Sequence, residues 1–289
     1  MHALGITDPP SLPARGGAAA APAASRASVS LAIAGSGGSG VMTAGNLLLE
    51  AAARAGLYGL MVRTSGPQIR GGEAAALLRL ARREVDSLDD SFDLLLAMDW
   101  QNVNRFADEI PLRATSLVIG DADEGATPEA FSRSSARCVA LPLKKLAKAI
   151  PGSWPNMVAL GLAGGLAGIP DAALEAALRE SWKRGDAGLQ ANLAALRAGL
   201  VQAPTLDGIA RLAPGAPASA ARWSISGNEA AGLGAIRGGV RFVAAYPITP
   251  ATELLEWMAC ELLGSAERGA RSGPPWHRDR ARSGESCRD

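Results

Sequence analysis

A short apolar run, a glycine-rich loop and a helical pattern follow one another near the start of the sequence, and this order constrains the fold most strongly. The run VSLAIA (29–34) is apolar except for Ser30, which is typical of a strand buried on both faces of a sheet. GSGGSG (35–40) comes next, and residues 41–55 then carry apolar side chains at helical spacing before Gly56. The order predicts the opening of an α/β domain.

Further apolar runs alternate with helical patterns along the next 150 residues or so. Strands are predicted at 57–63, 73–81, 92–98, 115–121 and 136–142, and helices at 155–168, 171–182 and 188–200. This alternation predicts a doubly wound, mostly parallel sheet that fills a first domain at 29–202.

The other segments differ from this domain in composition. We predict a disordered leader at 1–28, a linker at 203–222, the start of a second α/β domain at 223–263, and a disordered tail at 264–289. In the second domain, the run VRFVAA (240–245) is predicted to be a strand between two helices. The tail contains six arginines and no Leu, Ile, Val, Met or Phe, so it has little apolar surface to bury.

Composition excludes several classes of function. The formal net charge is +1, which gives no electrostatic reason to expect nucleic acid or a membrane surface as a partner. Cys138, Cys260 and Cys287 form no CxxC pair, so no cysteine-held iron–sulfur cluster is expected in this chain. The two histidines, His2 and His277, lie in the terminal segments, so a metal site built from histidines is not expected either. The longest apolar stretch, 156–169, is too short to span a bilayer. We therefore expect a cytoplasmic protein.

The glycine loop is the first candidate binding site. Gly35, Gly37 and Gly40 match GxGxxG, and Gly38 adds a fourth glycine. Small residues at this place let phosphate oxygens approach backbone N–H groups at a helix N-terminus. A dinucleotide site also needs an acid at the end of the second strand, but that strand ends Val62-Arg63-Thr64. The pattern favours a phosphate-bearing ligand other than NAD, and the alternative is a tight turn without a ligand.

A second unusual loop, TSGPQIRGGEAA, occupies residues 64–75. Pro67 stiffens it, while Gly71 and Gly72 free its backbone. Arg70 offers a planar fork that suits a phosphate or a carboxylate. We expect this loop to lie beside the glycine loop at the same edge of the sheet, although a surface loop with a solvated arginine is the alternative.

Together these stretches resemble a known family. IAGSGGSGVMTAGNLL, TSGPQIRGGEAA and NMVALGLAGGLAGIP resemble the gamma-type domain of 2-oxoacid:ferredoxin oxidoreductases. GNEAAGLGAIRGG and YPITP resemble the opening of the alpha-type domain, which is the pyrimidine-side half of a thiamine diphosphate fold. The order is that of a fused gamma–alpha subunit, and the resemblance covers about residues 29–262.

The resemblance implies an activity and a set of cofactors. Members oxidatively decarboxylate a 2-oxoacid to an acyl-CoA and pass electrons to ferredoxin. It implies thiamine diphosphate shared with a beta subunit, coenzyme A as co-substrate, and an iron–sulfur cluster on the partner subunit. It also implies coenzyme A as the ligand of the glycine loop and of Arg70, Gly71 and Gly72. The substrate is expected in the 2-oxoglutarate or pyruvate class.

The YPITP turn is the candidate catalytic element. The resemblance implies that Thr249 contacts the substrate, within a turn formed with Tyr246, Pro247, Ile248 and Pro250. Independently, a Thr before Pro is biased to the extended conformation of a helix N-cap, and Pro fits the first helical position. Its hydroxyl and the first N–H groups then suit a carboxylate. A capped helix without a ligand is the alternative.

One departure from the family pattern affects the expected activity. Family members carry an acidic segment about two dozen residues after YPITP, and one of its glutamates activates the cofactor. Here that region reads RSGPPWHR (271–278). We expect a chain truncated or frameshifted after about residue 263, with a natural tail as the alternative. The alternative function is a non-catalytic module for coenzyme A binding or subunit assembly.

Overall fold

The computed structural model describes residues 26–66, 72–101, 103–206, 209–215, 223–246, 248 and 251–268. The chain divides into two compact units, one up to Ser219 and one from Ala220. The predicted leader up to residue 25 and the predicted tail from residue 269 lie outside the described residues. Among the described residues, no helix is long and apolar enough to cross a membrane.

The first unit contains every strand predicted for it. The strands are β1 (Ser28–Ser36), β2 (Tyr58–Ser65), β3 (Glu73–Ala81), β4 (Phe92–Ala97), β5 (Leu112–Asp121) and β6 (Arg137–Leu141). The helices are α1 (Val41–Arg54), α2 (Glu129–Ser132), α3 (Leu143–Lys148), α4 (Pro155–Ala167), α5 (Asp171–Ser181) and α6 (Asp186–Gln202), with short 3-10 helices at Val103–Phe106, Ala122–Glu124 and Ala203–Thr205.

The strands form one mixed sheet in the order β2-β3-β1-β4-β5-β6. Strands β1, β4, β5 and β6 are parallel, whereas β3 is antiparallel to both β1 and β2. The prediction of a mostly parallel α/β sheet is confirmed. The antiparallel strand has a simple cause, because the segment 66–72 between β2 and β3 is shorter than the dozen or so residues that a parallel crossover needs.

The two faces of the sheet are covered differently. One face packs against α1, α4, α5 and α6 and buries the β1 side chains Leu31 and Ile33. The opposite face buries Ala32 and Ala34 under a smaller cluster that includes Phe106 and Phe131. Successive side chains of a strand point to opposite faces, so β1 is buried on both sides, as its nearly continuous apolar run predicts.

Helices α4 and α6 pack backbone to backbone. A Cβ atom at Gly161 would overlap the carbonyl of Leu196, and one at Gly199 would overlap the carbonyl of Val158. Glycine at both positions lets the helix axes approach more closely than side chains would allow. This close contact fixes α4 against α6 and holds the α4 N-terminus in place.

Part of the predicted linker packs onto the first unit. Ile209 and Leu212 are buried in its helical core. The Leu212 backbone N–H donates to the Ala167 carbonyl at 2.9 Å, and Leu212 also bridges to Arg26. The described residues up to Gly215 therefore belong to the first unit in packing terms.

The second unit contains helices α7 (Gly227–Arg237) and α8 (Ala251–Arg268). A reciprocal capping box between Ser226 and Glu229 starts α7. The strand predicted at 240–245 is not formed in the structure, because no described residue forms a β-bridge with it. Phe242 in this segment is 82% exposed. An apolar run becomes a strand only when another strand supplies its hydrogen-bonding partners.

Candidate functional site

The glycine loop lies at the point where the connections of the sheet diverge. It joins the carboxyl end of β1 to the N-terminus of α1. β1 lies between β3 and β4. β3 is antiparallel to β1, and β4 is parallel to it. In open α/β sheets, ligands bind outside the carboxyl ends of the strands at such a switch point. The loop therefore occupies the position in this fold where a ligand is most expected.

The loop conformation depends on two glycines. Gly38 has φ 92° and Gly40 has φ 86°, a region that L-residues with a Cβ rarely adopt. Gly40 is the N-cap of α1 and supplies no side-chain cap. The first N–H groups of a helix have no acceptor within the helix, and α1 has no acidic residue in its first turn. This end of α1 is suited to an anion.

Asp99 fixes the end of β1 from the neighbouring parallel strand. Its Oδ2 atom accepts the Ser36 backbone N–H at 2.9 Å and the Ser36 hydroxyl at 2.8 Å, while Oδ1 accepts the Gln101 N–H at 3.2 Å. Asp99 is buried. The sequence predicts no ribose-binding acid at the end of β2. The parallel strand beside β1 is β4, and Asp99, which follows β4, is bonded by the loop itself.

The second loop begins and ends beside the glycine loop, as its sequence predicts. Gly37 donates its backbone N–H to the Gly72 carbonyl, and Gly66 donates to the Glu73 carbonyl at 2.9 Å. Gly72 is buried. The candidate residues Arg70 and Gly71 lie outside the described residues, as does Pro67, and their roles stay predictions.

A buried carboxylate and an arginine were missed by the sequence analysis. Glu73 begins β3 and is 7% exposed, and its Oε1 atom accepts a hydrogen bond from Arg105 Nη1 at 3.1 Å. The Glu73 backbone pairs with Ser36 at the edge of the glycine loop. The available signal was a charged residue at the first position of a strand whose next five residues are apolar. The pair places a guanidinium next to the two loops.

The N-terminus of α4 approaches the glycine loop from the helical side. The Asn156 amide donates to the Gly40 carbonyl at 3.2 Å. In α6, the buried Asn192 accepts a hydrogen bond from the Trp154 backbone N–H at 3.2 Å and donates one to the Gly188 carbonyl at 2.8 Å. Two asparagines thus tie α1, α4 and α6 together at this end of the sheet.

A lysine sits further along the same edge. The Lys144 ammonium bonds to Glu124, and this bond raises the pKa of Lys144 while partial burial opposes the rise. Asp121, at the end of β5, accepts the Lys144 backbone N–H at 2.7 Å. Lys144 is therefore a fixed positive charge near the carboxyl ends of β4 and β5.

We expect Gly40 and Gly38 to respond differently to alanine. Gly40→Ala combines an unfavourable φ with overlap onto the Asn156 amide, so the free energy of unfolding should fall by at least about 3 kcal/mol. At Gly38, φ is equally positive but a Cβ meets no atom within 4 Å, so the loss should be about 1 kcal/mol. Urea titrations of both variants measure the difference, and equal losses would contradict the close approach of Asn156 to Gly40.

The YPITP residues belong to the second unit. Tyr246 is 79% exposed and Ile248 is 59% exposed. Pro247, Thr249 and Pro250 lie outside the described residues. Helix α8 begins at Ala251, directly after the YPITP residues in sequence, and the assignment of Thr249 as a substrate contact stays a prediction. No group of three His, Cys, Asp or Glu side chains suited to a metal ion occurs in the described part of the chain.

Comparison with known proteins identifies relatives of this chain. The family model described as pyruvate ferredoxin/flavodoxin oxidoreductase matches residues 30–202. Ketoisovalerate oxidoreductase subunit VorA of Methanothermobacter marburgensis is 29% identical over 175 residues, which are 59% of this chain and 36% of that protein. This chain therefore spans little more than a third of the length of that relative.

Solved structures show the same fold. The 2-oxoglutarate:ferredoxin oxidoreductase from Magnetococcus marinus, solved with 2-oxoglutarate, coenzyme A and succinyl-CoA bound, matches 83% of this chain and 42% of its own at a TM-score of 0.72 and 30% identity. The gamma subunit of a keto/oxoacid ferredoxin oxidoreductase from Geobacter sulfurreducens matches 62% of this chain and 97% of its own at a TM-score of 0.50 and 22% identity. The latter likeness concerns the fold alone. With the family model spanning the sheet and its helices, the chain belongs to the pyruvate ferredoxin/flavodoxin oxidoreductase family.

Proposed function

We propose that the chain is part of the alpha subunit, of the fused gamma–alpha type, of a cytoplasmic 2-oxoacid:ferredoxin oxidoreductase. The enzyme would convert a 2-oxoacid of the 2-oxoglutarate or pyruvate class to an acyl-CoA, with ferredoxin as electron acceptor. Family membership and the subunit names of the relatives support this proposal. A beta subunit would carry the iron–sulfur cluster, in keeping with the three scattered cysteines of this chain.

Within this enzyme, the first unit would bind coenzyme A. The observation that carries this assignment is the glycine loop, which places an uncapped helix N-terminus at the switch point of the sheet. The phosphates of coenzyme A would accept hydrogen bonds from the first backbone N–H groups of α1. The bound coenzyme A in the Magnetococcus marinus structure supports the choice of ligand.

No residue of the described structure is assigned to thiamine diphosphate. That cofactor, shared with the beta subunit, would supply the carbon nucleophile for decarboxylation. In the second unit, the Glu229 carboxylate accepts the Ser226 N–H, and Glu253 accepts the Asn228 amide. Both carboxylates are thus engaged locally, and Thr249 lies outside the described residues, so no catalytic step is assigned to this unit.

Calorimetry with coenzyme A and NAD tests the assignment. Coenzyme A should bind more tightly than NAD, because β2 ends without an acid for the ribose hydroxyls and Asp99 is already bonded to Ser36. Arg70→Ala should weaken coenzyme A binding about tenfold through loss of a charge-assisted hydrogen bond. Arg133→Ala is the matched control, since Arg133 is exposed just after α2 and pairs only locally with Glu129 in the described structure. Tighter binding of NAD would overturn the assignment.

A non-catalytic module for coenzyme A binding or subunit assembly is the second candidate. The apolar segment 240–246 favours it, because this segment forms no strand in the described structure and leaves Phe242 and Tyr246 largely exposed. An apolar surface of this kind is typical of protein interfaces. Turnover measurements with a beta subunit separate the two candidates.

A further inference from the structure

A cavity on the helical side of the first unit has no role in the site described so far. Its volume is about 420 Å³, and it is lined by Trp154, Trp182, Arg184 and the backbone around the start of α6. Cavities of this size accommodate small organic ligands. We propose that this cavity, hereafter the tryptophan cleft, binds the adenine base of a nucleotide whose phosphates lie at the glycine loop.

Two tryptophans line the tryptophan cleft, and the ring of Trp182 is held in place. Trp154 is 56% exposed, whereas Phe92, Phe106 and Phe131 are buried. The Trp182 indole N–H donates to the Gly185 carbonyl at 3.2 Å, which fixes the orientation of its ring. A Cβ at Gly188 would come within 2.8 Å of that ring, so glycine is what allows the indole to lie against the first turn of α6. Flat aromatic walls suit a nucleobase.

The polar groups of the cleft suit a purine better than an apolar side chain. Arg184 and Asp186 are both exposed residues in the lining. A guanidinium can stack on a base or donate to a ring nitrogen, and a carboxylate can accept from an exocyclic amine. Gly185, the N-cap of α6, supplies no side-chain cap, which leaves backbone N–H groups accessible at the same place.

The cleft is within reach of the glycine loop. Asn156 contacts the Gly40 carbonyl at 3.2 Å, and Trp154 precedes it by two residues, which is at most about 7 Å of chain. Asn192 ties the Trp154 backbone to α6 at 3.2 Å. In the proposed arrangement, one nucleotide has its phosphates at the N-terminus of α1 and its base at Trp154. The inference rests on the proposed function where it names coenzyme A as that nucleotide.

The test compares ligands with and without adenine. Wild-type chain and Trp154→Ala are titrated calorimetrically with coenzyme A, AMP and pantetheine, which lacks the nucleotide. Loss of a stacking partner should weaken coenzyme A and AMP binding about tenfold and leave pantetheine binding unchanged. Trp154→Phe should recover most of the affinity. Val201→Ala is the control, because Val201 is also exposed but lies near the other end of α6; circular dichroism confirms that each variant is folded.

Each outcome is decisive. Equal coenzyme A affinity in wild type and Trp154→Ala overturns the cleft assignment and leaves the proposed function standing. Binding of AMP that depends on Trp154, without binding of coenzyme A, supports the cleft and overturns the coenzyme A assignment. Failure of the wild-type chain to bind either ligand overturns both. Loss of beta-subunit association in Trp154→Ala, with nucleotide binding intact, shows a protein interface instead of a base site.

Discussion

Purified with a matching beta subunit, the 289-residue chain is expected to oxidise 2-oxoglutarate and pyruvate at least about 10²-fold more slowly than an intact homologue. The expected cause is the absence of a cofactor-activating glutamate in RSGPPWHR (271–278), a stretch that lies outside the described residues. In the proposed enzyme, a beta subunit would supply the iron–sulfur cluster but not this glutamate. Losing an acid–base contact of this kind costs about 10²–10⁴-fold in rate.

The second unit supplies an independent reason for low turnover. The segment 240–246 has no strand partner among the described residues, and Tyr246 is 79% exposed. Catalysis requires residues whose geometry is fixed by packed neighbours, and this segment offers no such packing in the described part of the chain. Reduction of a dye in the presence of coenzyme A and thiamine diphosphate measures the rate. Turnover comparable with that of the homologue would contradict the expectation, whereas activity that appears only when the homologue's alpha-type domain replaces residues 223–289 would support it.

A loss of stability at least as large as that of Gly40→Ala is expected from Gly199→Ala. Its Cβ would overlap the Val158 carbonyl, and backbone atoms of two packed helices cannot move apart without opening the core around Leu162 and Leu196. The free energy of unfolding should fall by about 3 kcal/mol or more. Such a loss is a large fraction of the stability of an ordinary domain.

Gly185→Ala provides the matched control for this substitution. Gly185 precedes the same helix, and a Cβ there meets no atom within 4 Å. Its φ of −45° is accessible to alanine, so the change in unfolding free energy should stay below about 1 kcal/mol. Urea denaturation of both variants gives the comparison. Similar midpoints for Gly199→Ala and Gly185→Ala would show that α4 and α6 are not in backbone contact.

The local sequence was sufficient to predict most elements of the first unit. Buried strands such as β1 and β3 appear as apolar runs, and α1 ends next to Gly56, because both patterns depend on residues close in sequence. The direction of β3 was not predicted from these patterns. That direction follows from the length of the 66–72 segment, which rules out a crossover.

Long-range contacts at the site could not be predicted in the same way. Asp99 is 63 positions from Ser36, and Glu73 is 32 positions from Arg105, so only the folded sheet brings each pair together. The failed strand at 240–245 has the same origin. Its composition suits a strand, but a strand also requires a partner that local sequence does not specify.

Hydrogen–deuterium exchange with and without coenzyme A tests the claim that the first unit binds this ligand at the glycine loop. We predict slower exchange on addition of coenzyme A at the backbone N–H groups of residues 37–43 and 66–73, which form the loop, the first turn of α1 and the neighbouring segment. Binding of coenzyme A that leaves exchange in residues 37–43 unchanged would contradict the claim.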